Sequence, residues 1–319
     1  MKLYWNILLA DDSQLPRTLF FEDLPDDRFR YGLNEKKQYC LFFHFPSDKH
    51  NHLIATLAMA NIILEEKRME GKDTLVLTLL NEDFKDLFTD LILSIVREVK
   101  DTESEITKSG FILLCRKWFE FFDPLKGQLT ESDLQAIYAE LSFLRYLLSE
   151  SDCSYNDILL SWKGPFGNKH DFELDTVHFE IKSIQDYKDI VQISSEHQLD
   201  FMADQSLYLV VCRFSDDHKE KRTVSNLSQE IVDQLRSVTG TDLSLYWTAL
   251  RKSGLNFSNI HQYDHYLFKL SEVEYYNCSS EDFPSLRRSF LPDSLRNIKY
   301  DLALSGISHY RTEDISLLI

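Results

Sequence analysis

The sequence predicts an α/β protein with two domains, and three observations lead to this prediction. Apolar runs typical of strands alternate with segments whose apolar residues recur at helical spacing. With 319 residues and a hydrophobic content of 43%, the chain can form one large or two ordinary domain cores. The helix breakers of Asp123–Gly127 separate a predicted N-terminal α+β domain, residues 1–125, from a second domain, residues 126–319.

The first domain is predicted to contain at least two strands followed by two helices. Gln38–Phe45 and Thr74–Leu80 are aromatic and aliphatic runs of high β-propensity. Apolar residues at helical spacing then predict a helix over 81–99. A second helix, over about 105–122, ends before Pro124 because the residue preceding a proline avoids helical geometry.

The second domain is predicted to open with a long helix. Thr130 to Asp133 forms a capping-box pattern, and the apolar stripe behind it continues to about Ser149. Glu140 lies at the edge of this stripe, where a carboxylate needs a partner. Beyond the breaker-rich loop 162–167, the sequence predicts strands at 171–174, 176–184, 190–194 and 206–214, helices at 227–238 and 242–251, and sheet-completing or additional strands at 265–276 and 297–302.

The stretch from Asp171 to Lys182 carries the candidate chemistry. In a strand, side chains alternate between faces, so Glu180 and Lys182 share the face opposite the apolar residues of this strand. A carboxylate beside an ammonium suits an oxygen-ligated divalent metal, and Asp171 lies within hairpin distance. Glu-x-Lys alone is common in ordinary amphipathic strands. The additional polar residues Asp171, Glu140 and Gln198 together suggest a functional site.

The order of these residues is that of the PD-(D/E)xK nuclease superfamily: a helix glutamate, a loop, an aspartate, a strand with Glu-x-Lys, then a glutamine. The segments AELSFLRYLL, SWKGPFGNKHDFEL, FEIKS and ISSEHQLD resemble a bacterial family of PD-(D/E)XK motif proteins associated with restriction and phage-defence gene neighbourhoods. The resemblance is sharpest from Glu140 to Asp200. His170 stands where the superfamily name implies a variable proline, and could be a structural histidine or a phosphate donor.

The resemblance implies a restriction-endonuclease-like core, in which helices flank a mixed central sheet. It also implies hydrolysis of a DNA phosphodiester with Mg²⁺, for which Mn²⁺ can substitute. On this sequence, the resemblance implies that Asp171, Glu180 and the Ile181 carbonyl are metal ligands. It implies that Lys182 orients or activates water, and that Glu140 contacts a second metal or a water bound to the first. Gln198 would make an auxiliary polar contact. The structural alternative for Glu140 is pairing with Arg145 or a tyrosine hydroxyl.

The charge of the chain argues against a protein that coats nucleic acid. The formal net charge is −17, whereas non-specific phosphate binding needs concentrated Lys and Arg. Between Pro284 and Arg311, five cationic residues stand against two acidic ones. This balance leaves open whether a local basic face or ordinary solvated charges occupy the segment.

Several features limit the location and the other chemistry of the chain. No apolar run reaches the about 18 residues needed to cross a bilayer, and acids stand where a signal peptide needs small residues, so a cytoplasmic protein is expected. Five widely spaced cysteines without a CxxC pair predict reduced, mostly buried thiols. His44, His50 and His52 match no closed metal site and predict a solvated turn.

The sequence leaves open the activity, the partner proteins, the choice between DNA and RNA, and the oligomeric state. A nuclease-fold binding or scaffold subunit of a defence complex, inactive or active only with partners, is the competing hypothesis. An ATPase or a methyltransferase is the kind of defence protein expected beside the chain, in addition to DNA. RNA would need the same metal chemistry, and cleavage of both strands by a nuclease with one site per chain commonly uses a homodimer.

Overall fold

The chain divides into two compact units in the computed structural model. The first comprises Met1–Leu125 with Asn256–Asn259, and the second comprises Lys126–Leu255 with Ile260–Ile319. The structure describes residues 2–10, 14–24, 26–46, 56–101, 105–125, 127–217, 219–280, 282–312 and 315.

The first unit contains a six-stranded antiparallel sheet of order β1-β2-β3-β6-β5-β4. Its central strands come from the two apolar runs of the sequence, and every residue of β3 is buried. The elements of this unit are α1 (Trp5–Ala10), β1 (Arg17–Phe20), β2 (Phe29–Leu33), β3 (Tyr39–Phe45), β4 (Leu57–Ala58), β5 (Ile62–Met69), β6 (Lys72–Leu79), α2 (Lys85–Asp101) and α3 (Lys108–Phe119).

Aromatic packing joins the helices of the first unit to its sheet. Phe111 of α3 stacks on Phe43 of β3, with ring centroids 4.9 Å apart. Trp5 of α1 donates its indole N–H to Thr89 of α2 over 3.0 Å. A segment distant in sequence joins this unit, since the Asn256 side chain donates to the Asp123 carbonyl over 2.8 Å.

The second unit is built around a mixed five-stranded sheet of order β13-β11-β10-β8-β7. Strands β8 and β10 are parallel and the other neighbours are antiparallel. Two further strands, β9 and β12, pair as a separate antiparallel sheet. The elements are α4 (Glu131–Glu150), α5 (Tyr155–Ser161), β7 (Phe172–Leu174), β8 (Val177–Gln185), β9 (Ile190–Ile193), β10 (Ser206–Phe214), α6 (Val224–Ser237), α7 (Leu243–Lys252), β11 (Leu270–Asn277), β12 (Tyr300–Ala303) and β13 (Arg311–Thr312).

Strand β8 is covered on both faces. Phe143 of α4 packs against Phe179 on one face, with ring centroids 4.9 Å apart. The parallel register pairs Glu180 with Leu209, so these two residues share the other face. That face meets an apolar cluster that includes Leu209, Val191 and Ile193. A mixed sheet with a helix packed on it confirms the predicted α/β class and fits a restriction-endonuclease-like core.

Two expectations about local structure are tested by the described residues. His44 is not part of a solvated turn, because it lies buried in β3 with its Nδ1 2.7 Å from the Thr74 hydroxyl. His50 and His52 lie outside the described residues. Four of the five free cysteines are buried, and Cys153 is exposed. Across the described ranges, no helix combines the length and the apolar character needed to cross a membrane.

Candidate active site

The second unit brings the predicted site residues together from four chain segments. Helix α4 carries Glu140, and Asp171 directly precedes β7. Strand β8 carries Glu180 and Lys182, and Gln198 lies in the turns that follow β9. The hairpin of β7 and β8 pairs Phe172 with Phe179, which places Asp171 beside the part of β8 that contains Glu180.

Glu140 is held by a tryptophan. The indole Nε1–H of Trp162 donates to Glu140 Oε2 over 2.7 Å, and Trp162 itself is fully buried. The alternative that pairs Glu140 with Arg145 is wrong, because the Arg145 guanidinium binds Glu230 at 2.6 Å. Arg145 lies five residues after Glu140 on the same helix, so the two side chains leave the helix in different directions.

Asp171 takes the place of a strand residue at the edge of the sheet. Its Oδ2 accepts the backbone N–H of Ile181 over 2.7 Å, where a longer β7 would supply a backbone carbonyl. Its own carbonyl accepts the N–H groups of Lys163 and Gly164 over 2.7 and 3.0 Å. Asp171 is therefore fixed by both its side chain and its backbone. The sequence predicts Asp171 as the first residue of a strand, whereas the observed β7 begins one residue later, at Phe172.

Lys182 links Glu180 to Gln198. Its Nζ lies 2.8 Å from Glu180 Oε1, in an ion pair whose angle is not that of an aligned hydrogen bond. The same ammonium donates to Gln198 Oε1 over 3.2 Å. Gln198 Oε1 also accepts the backbone N–H of Ser194 over 2.8 Å, so the glutamine is anchored to the main chain. The lysine side chain is thus held between two fixed oxygens.

Burial raises the pKa of all three carboxyl groups, and repulsion from the Asp171 charge adds to this effect at Glu140 and Glu180. Burial and the Asp171 charge raise the pKa of Glu140 to about 8, against the lowering effects of Trp162 and Lys182. Burial raises the pKa of Asp171, although the Ile181 N–H and Lys182 lower it. Burial and the Asp171 charge raise the pKa of Glu180 well above its usual value, and this residue is only 1% exposed. A cation at this cluster would relieve the repulsion.

Gly164 leaves room for two of these carboxylates. A Cβ at this position would lie 2.7 Å from Asp171 Oδ1 and 3.0 Å from Glu140 Oε2. Both oxygens therefore point at the space in front of the Gly164 backbone. The sequence assigns no individual role to Gly164 or Trp162, because its pattern over 162–167 indicates a loop rich in helix breakers.

The donor set fits a hard divalent cation. Carboxylate oxygens are the ligands that Mg²⁺ prefers, and these are buried, repel one another and have few protein donors. Among the described residues, Glu140, Asp171 and Glu180 do not place one oxygen each within 4.8 Å of one another. Each is instead held by a different group, namely Trp162, the Ile181 N–H or Lys182.

His170 is directed into the protein. It is 1% exposed, with Nδ1 3.0 Å from His178 Nδ1 and Nε2 3.1 Å from the Asp200 carbonyl. Burial and the neighbouring charges of His178 and Lys169 lower the pKa of His170 to about 4. Both ring nitrogens face protein groups, so the geometry favours a structural role over a phosphate contact.

In the segment 284–311, three of the five cationic residues are engaged by other groups of the protein, which argues against a local basic face. Arg287 is buried and donates to the Cys278 and Ser280 carbonyls over 3.1 and 2.9 Å. Arg288 donates to the Leu291 and Pro292 carbonyls over 2.7 Å. Arg311 pairs with two glutamates, Glu272 and Glu274. Three of the five cations thus stabilise the fold.

A family model described as "Putative PD-(D/E)XK family member, (DUF4420)" matches residues 5–305. The matched region includes all of the residues of the candidate site. No curated protein and no solved structure matches the chain.

Proposed function

The chain belongs to this PD-(D/E)XK family, as the resemblance of its motifs predicts, and on that premise we propose that it is a Mg²⁺-dependent endonuclease. Its substrate is DNA, and its setting is the cytoplasm, in a bacterial restriction or anti-phage defence system. The observation that carries the proposal is that the carboxyl groups of Glu140, Asp171 and Glu180, all with raised pKa values, lie near one another and beside the Lys182 ammonium.

Asp171 and Glu180 are the proposed metal ligands, with the Ile181 carbonyl and Glu140 completing the set. When bound, Mg²⁺ supplies positive charge at the phosphate and acidifies the attacking water. The Ile181 N–H fixes one oxygen of Asp171 and leaves the other, Oδ1, directed at the gap above Gly164. The protein thus orients these ligands before the metal arrives, which lowers the cost of binding.

Lys182 is the proposed group that steers the reaction. Hydrolysis forms a bond from the water oxygen to phosphorus, breaks one P–O ester bond, and returns a proton to the departing oxygen. An ammonium held beside the metal ligands stabilises the negative charge that develops on the phosphate and orients the water. The Lys182 Nζ pairs with Glu180 at 2.8 Å and would be available to the substrate if Glu180 served as a metal ligand.

Gln198 and Trp162 are positioning residues in this proposal. Gln198, anchored by the Ser194 N–H, holds the Lys182 Nζ from the side away from Glu180. Trp162 holds one oxygen of Glu140 and leaves the other to a water or a second metal. Neither residue needs to touch the reacting phosphate for its loss to reduce the rate.

The test is cleavage of DNA by purified protein with Mg²⁺ or Mn²⁺. Asp171→Ala, Glu180→Ala and Lys182→Ala are each expected to reduce cutting by at least about a thousandfold, as loss of charge-stabilising groups commonly does. The chain offers a matched control, because Lys67 and Glu65 form the same Glu-x-Lys ion pair at 2.8 Å on β5. Glu65→Ala and Lys67→Ala should keep full activity. Cutting that survives all three site variants would refute the site assignment.

A scaffold without its own activity is the second candidate function, and the net charge of −17 favours it. Calorimetric titration with Mn²⁺ distinguishes the two. A nuclease should show saturable binding that is lost in Asp171→Ala and Glu180→Ala, whereas a scaffold should show none at these residues. RNA offered beside DNA in the cleavage assay decides the substrate, and added ATPase or methyltransferase partners test conditional activity.

The first unit, with its six-stranded sheet, is the proposed site of recognition or assembly. A homodimer would supply two active sites for cleavage of both strands. Sedimentation of the protein with and without duplex DNA measures this directly. Products nicked on one strand only would agree with a single active site in each complex.

A further inference from the structure

A second group of potential metal ligands lies on the hairpin of β7 and β8. Glu173 and His178 are directly opposite each other in the antiparallel register, so their side chains share a face. His170 lies three residues before Glu173. One ligand atom from each of these residues lies within 4.8 Å of the others. This cluster contains imidazole nitrogen, which distinguishes it from the all-oxygen site of Asp171 and Glu180.

The hydrogen bonds of the two imidazoles define their tautomers. His170 Nε2 lies 3.1 Å from the Asp200 carbonyl, and His178 Nε2 lies 3.3 Å from the Asp175 carbonyl. A carbonyl oxygen can only accept a hydrogen bond, so each Nε2 carries the proton. The Nδ1 atoms of the two rings then face each other across 3.0 Å.

Two imidazole nitrogens at this distance need a proton or a metal ion between them, because their lone pairs would otherwise repel. A metal ion satisfies both nitrogens at once. Two imidazole nitrogens on a tetrahedral Zn²⁺ lie about 3.3 Å apart when each Zn–N bond is about 2.0–2.1 Å, which is close to the observed separation. In addition, a metal-binding histidine usually donates its other N–H to a carbonyl or carboxylate, and both rings already do so.

We propose that His170 Nδ1, His178 Nδ1 and a Glu173 carboxylate oxygen form a Zn²⁺ site. The set has the composition of two histidines and one glutamate, with a fourth position left for water. Glu173 lines a cavity of about 500 Å³, together with Asp175 and Thr176, so the ion and the water have a route from solvent.

A metal at this site would fix the position of the segment that precedes β7 relative to β8. His170 immediately precedes Asp171, and His178 lies two residues before Glu180 on the same face of β8. A metal that joins His170 to His178 therefore joins the segment of Asp171 to the strand of Glu180. This inference does not depend on the proposed nuclease activity, because a zinc ion could stabilise the hairpin of an inactive protein in the same way.

The experiment measures zinc itself. The full-length protein is stripped with a chelator, loaded with Zn²⁺, dialysed and assayed by inductively coupled plasma mass spectrometry. We expect one Zn²⁺ per chain. Glu173→Gln and His178→Gln should lower the affinity at least tenfold, measured by competition with a chromogenic chelator. Glu173 is only partly buried, so its isosteric variant should keep the fold, which circular dichroism checks.

Two controls separate this site from others. Glu180→Gln removes a proposed Mg²⁺ ligand and should retain zinc, while His265→Gln removes an exposed histidine and should also retain it. X-ray absorption at the zinc edge should show two imidazole ligands. Wild-type protein without bound zinc, or zinc unaffected by both Glu173→Gln and His178→Gln, would overturn the proposal. A zinc site lost in Glu180→Gln alone would also overturn it.

Discussion

Gly164 sets how closely Glu140 and Asp171 can face a common ligand. Any larger residue would place its Cβ 2.7 Å from Asp171 Oδ1, closer than carbon and oxygen atoms pack without a shift. Asp171 cannot retreat easily, because the Ile181 N–H holds its other oxygen. The absence of a side chain at Gly164 is therefore part of the site.

Gly164→Ala is expected to reduce the affinity for Mn²⁺ and the rate of DNA cutting by at least tenfold. The added methyl would displace the Asp171 carboxylate, at a cost in stability of about 1–3 kcal/mol from overpacking. Gly306→Ala is the matched control, since its Cβ would meet nothing within 4 Å. Titration calorimetry with Mn²⁺ measures the affinity. An unchanged affinity in Gly164→Ala would show that the two carboxylates do not act on one ion.

Glu140 makes stability depend on pH in the metal-free protein. Its pKa rises from 4.5 to about 8 on folding, so in this range the folded protein binds a proton that the unfolded chain releases. Stability therefore falls as pH increases from 4.5 towards 8, and the loss is complete above 8. Asp171 and Glu180 act in the same direction, because their pKa values are also raised.

Glu140→Gln should stabilise the metal-free protein at pH 8 by roughly 2 kcal/mol, less than the full pKa shift implies because Glu140 is partly exposed. At pH 4 the variant and the wild type should differ little, because Glu140 is then mostly neutral in both the folded and the unfolded chain. Thermal unfolding in a chelating buffer at the two pH values provides the measurement. Glu150→Gln, an exposed change on the same helix, is the control. An equal Tm difference at both pH values would contradict this prediction.

At the level of elements, helix α4 supports the site from one side of the sheet. Its first turn is closed by a capping box, in which the Thr130 hydroxyl accepts the Asp133 N–H over 3.2 Å. The Asp133 carboxylate accepts the Thr130 N–H over 2.9 Å in return. The helix thus begins at a fixed residue, which determines where Glu140 emerges about three turns later.

Thr130→Ala is expected to lower the free energy of unfolding by about 1 kcal/mol, because the first turn loses a side-chain acceptor. The reduction should appear as a lower Tm, while DNA cutting well below that temperature stays unchanged. Thr130→Ser keeps the hydroxyl and should keep most of the stability. Chemical denaturation followed by circular dichroism gives the free energies. A large loss of activity in the folded Thr130→Ala protein would mean that the cap also positions Glu140.

In strand β8, the sequence pattern predicts which face each side chain takes, but not whether that face is buried. Alternation correctly places Glu180 and Lys182 on one face, as their shared contact shows. It does not show that this face is also covered, in part by the apolar cluster that contains Leu209 and Val211. Burial of that face is what raises the pKa of Glu180. The pattern of one strand cannot reveal what packs on it.

At the scale of the whole molecule, the negative net charge limits the number of contacts with the phosphates of the proposed DNA substrate. The chain carries a formal charge of −17, and Arg287, Arg288 and Arg311 of the segment 284–311 are already bonded to groups of the protein itself. DNA binding by the isolated chain should therefore involve few phosphate contacts. A partner protein or metal ions would then have to supply much of the affinity.

The uncut complex of Lys182→Ala with duplex DNA should show a weak dependence on salt. We expect the logarithm of the binding constant to fall with the logarithm of salt concentration at a slope no steeper than about −3, equivalent to about three released counterions. Fluorescence anisotropy across a sodium chloride series measures the slope. A slope of about −6 or steeper would reveal a basic surface elsewhere in the chain.

The sequence by itself determined the α/β class, the central strands β3, β6, β8 and β10, and the long helix that carries Glu140. It also determined the family, through the order of Glu140, Asp171, Glu180, Lys182 and Gln198. The class and the elements follow from local periodicity and capping, which neighbouring residues encode, whereas the family follows from the resemblance of the motifs. Only the tertiary structure decided that Trp162 holds Glu140, that Gly164 leaves space for two carboxylates, and that His170 meets His178. Those contacts join segments that no local pattern relates, because side-chain partners across a fold depend on how the elements pack.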